Sequence, residues 1–336
     1  MRPATAIGLA LAAAIAFTTG AARAAEPLTI RHGWVALTNT LSPLVFMKPD
    51  VMQHYGKSYV VEATHFQGTS AELTAIASDQ IDIITLGNST LAIGVENAGL
   101  ADLRVIAAGF QAGVEDYFSS RYMVRNDSAI ATIEDLKGKV LATNVIGGSL
   151  DLAMRVMMRQ HKMEDKRDYT AIDAEFASMP PMLLQRKLDL IGMVPPWVYD
   201  PQLQAGAHVL FTMRDAIGSS QMIVLAARTP FLEKHRAQLY DFFEDELRAI
   251  RWFTDPANRP EMVAFLARMT KQPAERFDNY AFTKNDYYRD ALARPNLDSL
   301  QHDIDTQFKL GFIKSAIEVR KYADLSFVEE AARRLR

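Results

Sequence analysis

The sequence predicts an α/β protein with two lobes, in each of which helices flank a mainly parallel sheet. Short apolar runs bounded by turn residues alternate with segments of helical periodicity over the first two thirds of the chain, as expected of strand–helix–strand units. A helix followed by a strand that carries the core apolar-Asp-apolar-Ile occurs twice, with the core at residues 81–84 and 188–191. This repetition favours two lobes in which helices and strands follow one another in a similar order. A chance resemblance between two amphipathic segments is the alternative.

The first copy of the pattern contains a polar loop, a short helix, a strand and a second polar loop. Thr69 and Glu72 have the spacing of a capping box, so a helix is expected to begin just after Gly68. The next apolar run, at residues 81–86, is short, rich in β-branched residues and ends at Gly87, which is typical of a buried strand. Ligands bind outside the carboxyl ends of the strands in open α/β sheets, so both polar loops are expected near a binding site.

Small polar residues stand at other points where a predicted strand leads into a helix. Asn88, Ser89 and Thr90 follow the strand of the first copy and are expected to begin a helix at Ser89 or Thr90. Gly148 and Ser149 lie between a predicted strand and an amphipathic helix. These loops are therefore candidates for contacts with a ligand.

The second copy begins with prolines confined to a first helical turn, which needs no backbone donor. Its strand, at residues 188–194, ends in the sequence Pro-Pro-Trp. Pro195 and Pro196 hold Trp197 in a loop, and Trp34, Phe66 and Phe110 also fall at predicted strand ends. Binding pockets are mostly apolar with a few polar groups, so we expect at least one of these aromatic side chains to line a cleft.

The amino terminus has the pattern of a secretory signal peptide. Arg2 precedes an apolar run at residues 7–17 that is too short to span a bilayer, and Ala-Arg-Ala at residues 22–24 is an A-x-A cleavage signal. We therefore predict a signal peptide at residues 1–24, with Ala25 as the first mature residue.

Composition narrows the class of protein. The chain has 37 basic and 40 acidic residues and no cysteine. Because the mature protein would be mildly acidic, nothing in its charge favours binding to nucleic acid or to an anionic membrane. The lack of cysteine excludes a disulfide, a thiol nucleophile, a thiolate metal site and a lipid-bearing cysteine at the cleavage point. An exported, unanchored chain of this kind fits the periplasm of a bacterium with two membranes.

The order of the predicted elements divides the mature chain into lobes. Predicted strands at residues 28–34, 59–66 and 103–110 form the first lobe, and an extended stretch leads to a new strand and helix at residues 140–160. An apolar stripe at helical spacing follows late in the chain, formed by Leu239, Phe242, Phe243, Leu247 and Ile250. We predict lobe I at residues 25–118 and 221–336, the latter with a helical C-terminal extension, and lobe II at residues 119–220, with crossings near residues 118–124 and 219–223.

Several motifs together resemble ABC-transporter solute-binding proteins. They are Phe66-x-Gly68, Asp82 entering a strand that ends at Gly87, Asp-Leu-Lys-Gly-Lys at residues 135–139, Gly148-Ser149, the segment from Asp189 to Pro196, and Asp-Leu-Ser-Phe at residues 324–327. The resemblance spans essentially the whole mature chain and is greatest to the nitrate/sulfonate/taurine group, whose fold thiamine-pyrimidine proteins share. It implies a type II periplasmic-binding-protein fold, whose two lobes close on a ligand, and a monomer that docks on a membrane permease.

This resemblance implies a small organic acid as the ligand, such as a sulfonate or an aromatic carboxylate. The candidate loops contain no lysine or arginine, so an anion would be held by backbone N–H groups at helix starts and by hydroxyls. Arg121 is the one cation considered for the acid, with a surface or inter-lobe salt bridge as the alternative. The candidate ligand-binding residues are Trp34, Thr38, Asn39, Gln67, Gly68, Thr69, Ser70, Asn88, Ser89, Gln111, Arg121, Gly148, Ser149, Pro195 and Trp197.

Other kinds of chemistry find little support in the sequence. The seven histidines show no metal-site spacing, and no nucleophile-elbow, Walker or dinucleotide motif is present, so we expect neither metal nor cofactor. The rival class is an enzyme of the thiamine-pyrimidine type on the same fold. That chemistry depends on a cysteine-rich motif and an intracellular location. The chain contains no cysteine, and its predicted signal peptide indicates export. A binding subunit that reports to a membrane sensor is a further alternative.

Overall fold

Two five-stranded sheets organise the chain, as described by a computed structural model. The structure describes residues 26–35, 41, 42, 46, 48–97 and 99–336, so the predicted signal peptide and the candidate residues Thr38 and Asn39 lie outside the described residues. The first sheet contains β1 (Leu28–Trp34), β2 (Tyr59–His65), β3 (Ile83–Gly87), β4 (Leu103–Ala112) and β10 (Ser220–Arg228). The second contains β5 (Arg121–Arg125), β6 (Val140–Thr143), β7 (Thr170–Asp173), β8 (Leu190–Met193) and β9 (Ala207–Thr212).

Each sheet contains one strand that runs against the other four. The first sheet has the order β2-β1-β3-β10-β4, and β10 is antiparallel to both of its neighbours. The second has the order β7-β6-β8-β5-β9, and β5 is antiparallel to both of its neighbours. Each of these two strands is the first that the chain forms on entering or re-entering its sheet. The predicted α/β class with two mainly parallel sheets is confirmed.

Helices cover both sheets and make up most of the carboxyl-terminal third. They are α1 (Thr69–Ala77), α2 (Asn88–Asn97), α3 (Ser149–Gln160), α4 (Met179–Leu184), α5 (Pro201–Gly206), α6 (Met213–Ile217), α7 (Thr229–Lys234), α8 (Arg236–Thr254), α9 (Arg259–Thr270), α10 (Glu275–Asp278), α11 (Leu297–Lys309) and α12 (Ser326–Arg334). Short 3-10 turns occupy Pro49–Val51, Glu134–Leu136, Trp197–Tyr199, Pro256–Asn258 and Val319–Tyr322. None of the helices in the described part of the chain is long and apolar enough to cross a membrane.

The start of α1 confirms one prediction and corrects another. The helix begins at Thr69, directly after Gly68, as the sequence indicates. The predicted capping box is wrong, because no side chain forms a capping hydrogen bond at this helix start. The Glu72 carboxyl group instead accepts hydrogen bonds from the backbone N–H of Thr85 at 2.6 Å and from the Thr85 hydroxyl at 2.5 Å. Glu72 thereby joins α1 to β3.

The predicted apolar stripe of α8 lies against the first sheet. Its five side chains are all buried, and they pack with Ile30 of β1 and Tyr59 of β2 in one apolar cluster. Burial of one such side chain contributes about 1.5–3 kcal/mol, so α8 contributes strongly to the stability of this half of the molecule. Asp245 lies on the same helix and accepts hydrogen bonds from residues 53–55 and from Tyr59.

Candidate ligand-binding cleft

Three adjoining chambers form a cleft where the carboxyl ends of strands from both sheets meet. The inner, middle and outer chambers have volumes of about 60, 180 and 640 Å³. Val35, directly after β1, lines all three. Phe176 is shared by the inner and middle chambers, and Trp197 by the middle and outer ones. The cleft therefore widens from a small interior space to a broad mouth.

The first residues of α1 and α3 meet at the inner chamber. Thr69 and Ser149, which both line it, begin these two helices from opposite sheets. Gly87 marks how closely they approach. A Cβ atom placed on Gly87 would lie 2.7 Å from Ser149 Oγ and 3.1 Å from Thr69 Oγ1. The chain can bring both hydroxyls together here because β3 ends in a residue without a side chain.

A second close contact, just beside this chamber, joins the two halves of the molecule, each of which is built on one of the sheets. A Cβ atom on Gly68 would lie 2.7 Å from Cγ1 of Val145, which precedes α3. The backbone of Gly68 is extended, so the position demands glycine for space and not for its conformation. The two halves thus approach each other closely at Gly68 as well as at Gly87.

The inner chamber offers hydrogen-bond donors without any positively charged side chain. No lysine or arginine lines it among the residues that the structure describes. Ser149 Oγ is buried and has no hydrogen-bond partner in the described part of the chain. Neither Gly68 nor Gly148, the caps of α1 and α3, supplies a side-chain acceptor to the helix start. Backbone N–H groups at a helix start carry about half a positive charge together, so this arrangement suits an anion.

Glu72 lies behind the inner chamber, where an ionised carboxylate would repel an anion. Its side chain is fully buried, and its partner Thr85 lines the chamber. Burial raises the pKa of Glu72 to about 8, against the opposing effect of its hydrogen bonds with Thr85. The carboxyl group is therefore mostly neutral at pH 7, which weakens its repulsion of an anion in the chamber.

Aromatic side chains line the wider chambers from both halves. Trp34 ends β1 and packs against His65, with their ring centroids 4.5 Å apart. Trp197 stacks on Phe176 with centroids 4.9 Å apart and planes 19° apart. Trp34 and Trp197 line the outer chamber together, which gives a flat or apolar ligand a surface on each side. His65 Nε2 lies 3.0 Å from the carbonyl oxygen of Val35, so one nitrogen of this histidine is satisfied within the strand ends.

The carboxyl-terminal helices supply a third wall at the mouth. Thr270 ends α9 and Arg276 belongs to α10, and both line the outer chamber with Gln272 between them. Asp200 lies in the same chamber, where its Oδ1 accepts hydrogen bonds from the first backbone N–H groups of α5. The mouth therefore carries both signs of charge, whereas none of the described residues that line the inner chamber is charged.

The structure brings part of the candidate set to the cleft. The candidates that line the chambers are Trp34, Gln67, Thr69, Gly148, Ser149 and Trp197. Gly68 and Ser70 belong to the same helix start as Thr69 without lining a chamber. The candidate Pro195 does not line a chamber either, whereas its neighbour Pro196 lines the outer one. Whether any of them binds a ligand stays a prediction.

Four other candidates do not line the chambers. Asn88 is buried, and its amide donates to Ser220 Oγ at 2.9 Å and to Asp303 Oδ2 at 3.0 Å. Both partners belong to the half of the molecule that contains the first sheet, so the Asn88 amide is engaged there. Ser89 is also buried, and the backbone of Gln111 pairs with that of Tyr288. The Arg121 guanidinium lies over the rings of Phe118 and Tyr199, with its carbon 5.3 and 5.7 Å from their centroids.

Several lining residues were missed from the sequence. Asn144 and Val145 follow β6 directly, so the rule that ligands meet strand carboxyl ends could have found them. Phe176 follows β7, a strand too short and polar to stand out. Arg276 and Tyr287 come from the helical carboxyl-terminal third, and no local pattern there signals that the chain returns to the cleft.

Comparison with solved structures shows that the fold is shared with periplasmic binding proteins. The nitrate-binding protein NrtA from Synechocystis PCC 6803 is 16% identical over 92% of this chain and 89% of that chain, with a TM-score of 0.72. The ligand-binding component of an ABC-type import system from Staphylococcus aureus is 15% identical over 91% and 99%, with a TM-score of 0.70. The aliphatic sulphonate binding protein SsuA from Escherichia coli is 18% identical over 89% and 92%, with a TM-score of 0.64.

An enzyme shares the fold as well. The desulfurization enzyme DSZB is 12% identical over 92% of this chain and 100% of that chain, with a TM-score of 0.62. A search of the curated proteins found no match. At these identities the structures establish the fold alone, which is the type II periplasmic-binding-protein fold that the motifs imply.

Family membership comes from the sequence itself. The model of the NMT1-like family matches residues 23–267, well over half of the chain. The resemblance to solute-binding proteins is thus confirmed for the family and for the fold. The chain belongs to the NMT1-like family.

Proposed function

We propose that the protein is the periplasmic solute-binding component of an ABC importer and captures a small organic acid in the cleft between its two sheets. The ligand class is a sulfonate of the taurine type or an aromatic carboxylate. The observation that carries this proposal is the convergence of the α1 and α3 starts on Gly87, which places the hydroxyls of Thr69 and Ser149 around one small chamber. Support also comes from the family and from the binding proteins of the same fold.

The acidic head group would occupy the inner chamber. Thr69, Ser149 and the first N–H groups of the two helices would donate to its oxygens, since charge-assisted hydrogen bonds of this kind are strong. The neutral Glu72 behind Thr85 would not oppose the charge. The apolar part of the ligand would extend outward between Trp34 and Trp197.

The wiring of the two halves supports capture by closure. We propose residues 25–118 with 221–336 as lobe I and residues 119–220 as lobe II. Among the described strands, the chain passes between the sheets twice, from β4 to β5 and from β9 to β10. These crossings would act as the hinge, because a few residues at the ends of elements absorb the rotation in such clefts.

A binding role is favoured over catalysis by the chemistry of the cleft. The chain has no cysteine, so a thiol nucleophile is not available to it. Ser149 Oγ has no hydrogen-bonded base in the described residues, and an unactivated hydroxyl is a weak nucleophile. The same cleft could serve a membrane sensor in place of a permease, and the neighbouring gene would distinguish these two partners.

The proposed location requires export. We propose that a signal peptide is cleaved after Ala24 and that the mature, monomeric protein carries no lipid anchor. The intact mass of the protein recovered from the periplasm of an expressing bacterium is expected to match a chain that starts at Ala25. A mature chain that still contains residues 1–24 would contradict this.

Replacement of the two inner hydroxyls tests the site. A thermal-shift screen over sulfonates, nitrate, aromatic carboxylates and pyrimidines first finds a binder, because a ligand of the folded state raises its stability. Ser149→Ala is then expected to weaken binding by about 1.5–3 kcal/mol, the value of one hydrogen bond to a charged group, and Thr69→Ala is expected to act in the same direction. Isothermal titration calorimetry measures both affinities.

The matched control for this test is Ser78→Ala. Ser78 is exposed at the far end of α1 from Thr69, so its loss is expected to leave the affinity unchanged. If Ser149→Ala and Thr69→Ala both bind as tightly as the parent protein, the ligand lies elsewhere and the proposed site is wrong.

A further inference from the structure

The third wall of the outer chamber has no role in the binding of a single acidic head group. Gln272, Arg276 and Phe277 form this wall together with Thr270. All of them lie beyond residue 267, where the match to the family ends. The wall therefore lies outside the part of the chain that matches the family.

Arg276 is the cation of this wall, and it is available to a ligand. Its side chain is half-buried and donates one hydrogen bond from Nη1 to Gln272 Oε1 at 2.9 Å. It forms no salt bridge within the part of the chain that the structure describes. A guanidinium carries five N–H donors in a planar fork that matches a carboxylate, so most of its donors remain for another group.

Arg276 does not form a salt bridge with Asp200 that would hold the two halves together. Asp200, from the opposite half, lines the same chamber, and its Oδ1 already accepts the N–H groups of Gln202 and Leu203 at 3.0 Å each. The two halves touch at Gly68 and Gly87, yet Arg276 and Asp200 form no ion pair. The 640 Å³ chamber between them is more than enough for the outer end of a ligand.

We propose that Arg276, steadied by Gln272, binds a second acidic group at the far end of the ligand. This inference rests on the proposed function, because it takes the inner chamber as the site of the first acid. The ligand class is then an elongated diacid with an apolar middle. One acid lies at the starts of α1 and α3, the middle lies between Trp34 and Trp197, and the second acid lies at the mouth.

Matched pairs of acids test the second subsite. The probes are succinate, adipate, sebacate and terephthalate, each compared by titration calorimetry with its mono-acid partner, which is butyrate, hexanoate, decanoate or 4-methylbenzoate. The parent protein is expected to prefer at least one diacid over its partner by about tenfold or more, since a hydrogen-bonded ion pair distinguishes the two. Arg276→Gln is expected to bring the ratio of the diacid and mono-acid affinities close to one without changing the affinity for the mono-acid. Arg276→Lys is expected to keep part of the preference for the diacid.

Two controls separate this inference from the proposed function. Arg268→Gln makes the same change of charge on an exposed face of α9, and the preference for the diacid is expected to persist. Ser149→Ala is expected to weaken both members of a pair equally, because it acts on the shared acid.

Three outcomes would overturn the second subsite. They are equal affinities for both members of every pair, equal weakening of both members by Arg276→Gln, and binding of none of these acids to the parent protein. In the first two cases the effect of Ser149→Ala still supports the inner site. If Arg276→Gln abolishes the preference while Ser149→Ala changes nothing, the second subsite stands and the inner assignment is wrong.

Discussion

Gly87→Val is expected to weaken the binding of the acids identified by the screen at least about 100-fold while the protein stays folded. Even the first carbon of the new side chain would lie 2.7 Å from Ser149 Oγ and 3.1 Å from Thr69 Oγ1, in the space assigned to the head group. Several hydrogen bonds to a charged group are lost together, each with a value of about 1.5–3 kcal/mol. Valine suits a strand, and Gly87 ends β3 with no left-handed backbone to preserve.

The measurement combines calorimetry, thermal unfolding and small-angle scattering. The parent protein is expected to become more compact when ligand is added, and Gly87→Val is expected not to, because its side chain keeps the two helix starts apart. Thr64→Val, at an exposed position of β2, is the control for a valine placed in the same sheet. Binding by Gly87→Val within a few-fold of the parent would show that the head group does not lie at this convergence.

Asp245→Ala is expected to lower the free energy of unfolding by about 3–5 kcal/mol, the typical cost of removing one member of a buried polar cluster. Asp245 is fully buried. Its Oδ1 accepts from the N–H of Gln53 at 2.8 Å, and its Oδ2 accepts from His54 and Tyr55 at 2.9 and 3.1 Å. The Tyr59 hydroxyl donates to Oδ2 at 3.0 Å. Alanine would leave all four donors without an acceptor.

Urea unfolding followed by circular dichroism measures this cost. Asp298→Ala on α11 is the matched control, because Asp298 is exposed and its salt bridge is with the exposed Arg320, an interaction worth at most about 1 kcal/mol. Asp245→Asn keeps one acceptor oxygen and is expected to fall between alanine and the parent protein. A loss below about 1 kcal/mol for Asp245→Ala would mean that water replaces the carboxylate.

The sequence was sufficient for the fold because its signals are local. Apolar periodicity marks β1, β3 and the stripe of α8, and glycine marks the starts of α1 and α3. The positions of Thr69 and Ser149 at strand ends also follow from the general rule for open sheets. The sequence could suggest that these two residues meet in one chamber only because the order of strands and helices is similar in the two halves.

The remaining parts of the cleft depend on contacts between distant segments. Asn88 lies where the rule places a ligand contact, yet Asp303 and Ser220 engage its amide, and both are far from it in the sequence. Glu72 fits a capping box by spacing, but its bond to Thr85 prevails because a buried carboxyl group needs partners. Arg276 reaches the mouth through the packing of the carboxyl-terminal helices, which no periodicity specifies.

The position of β10 has a consequence for the order in which the protein folds. β10 lies between β3 and β4, so among the described strands β4 has no neighbour in its sheet until Ser220–Arg228 has been synthesised and has returned. The strands of the second sheet, in contrast, all lie between Arg121 and Thr212, and this sheet can form from one continuous stretch. Domains tend to fold as units, and pairing over long sequence separations is slow. The half that is begun first along the chain is therefore the half that is completed last.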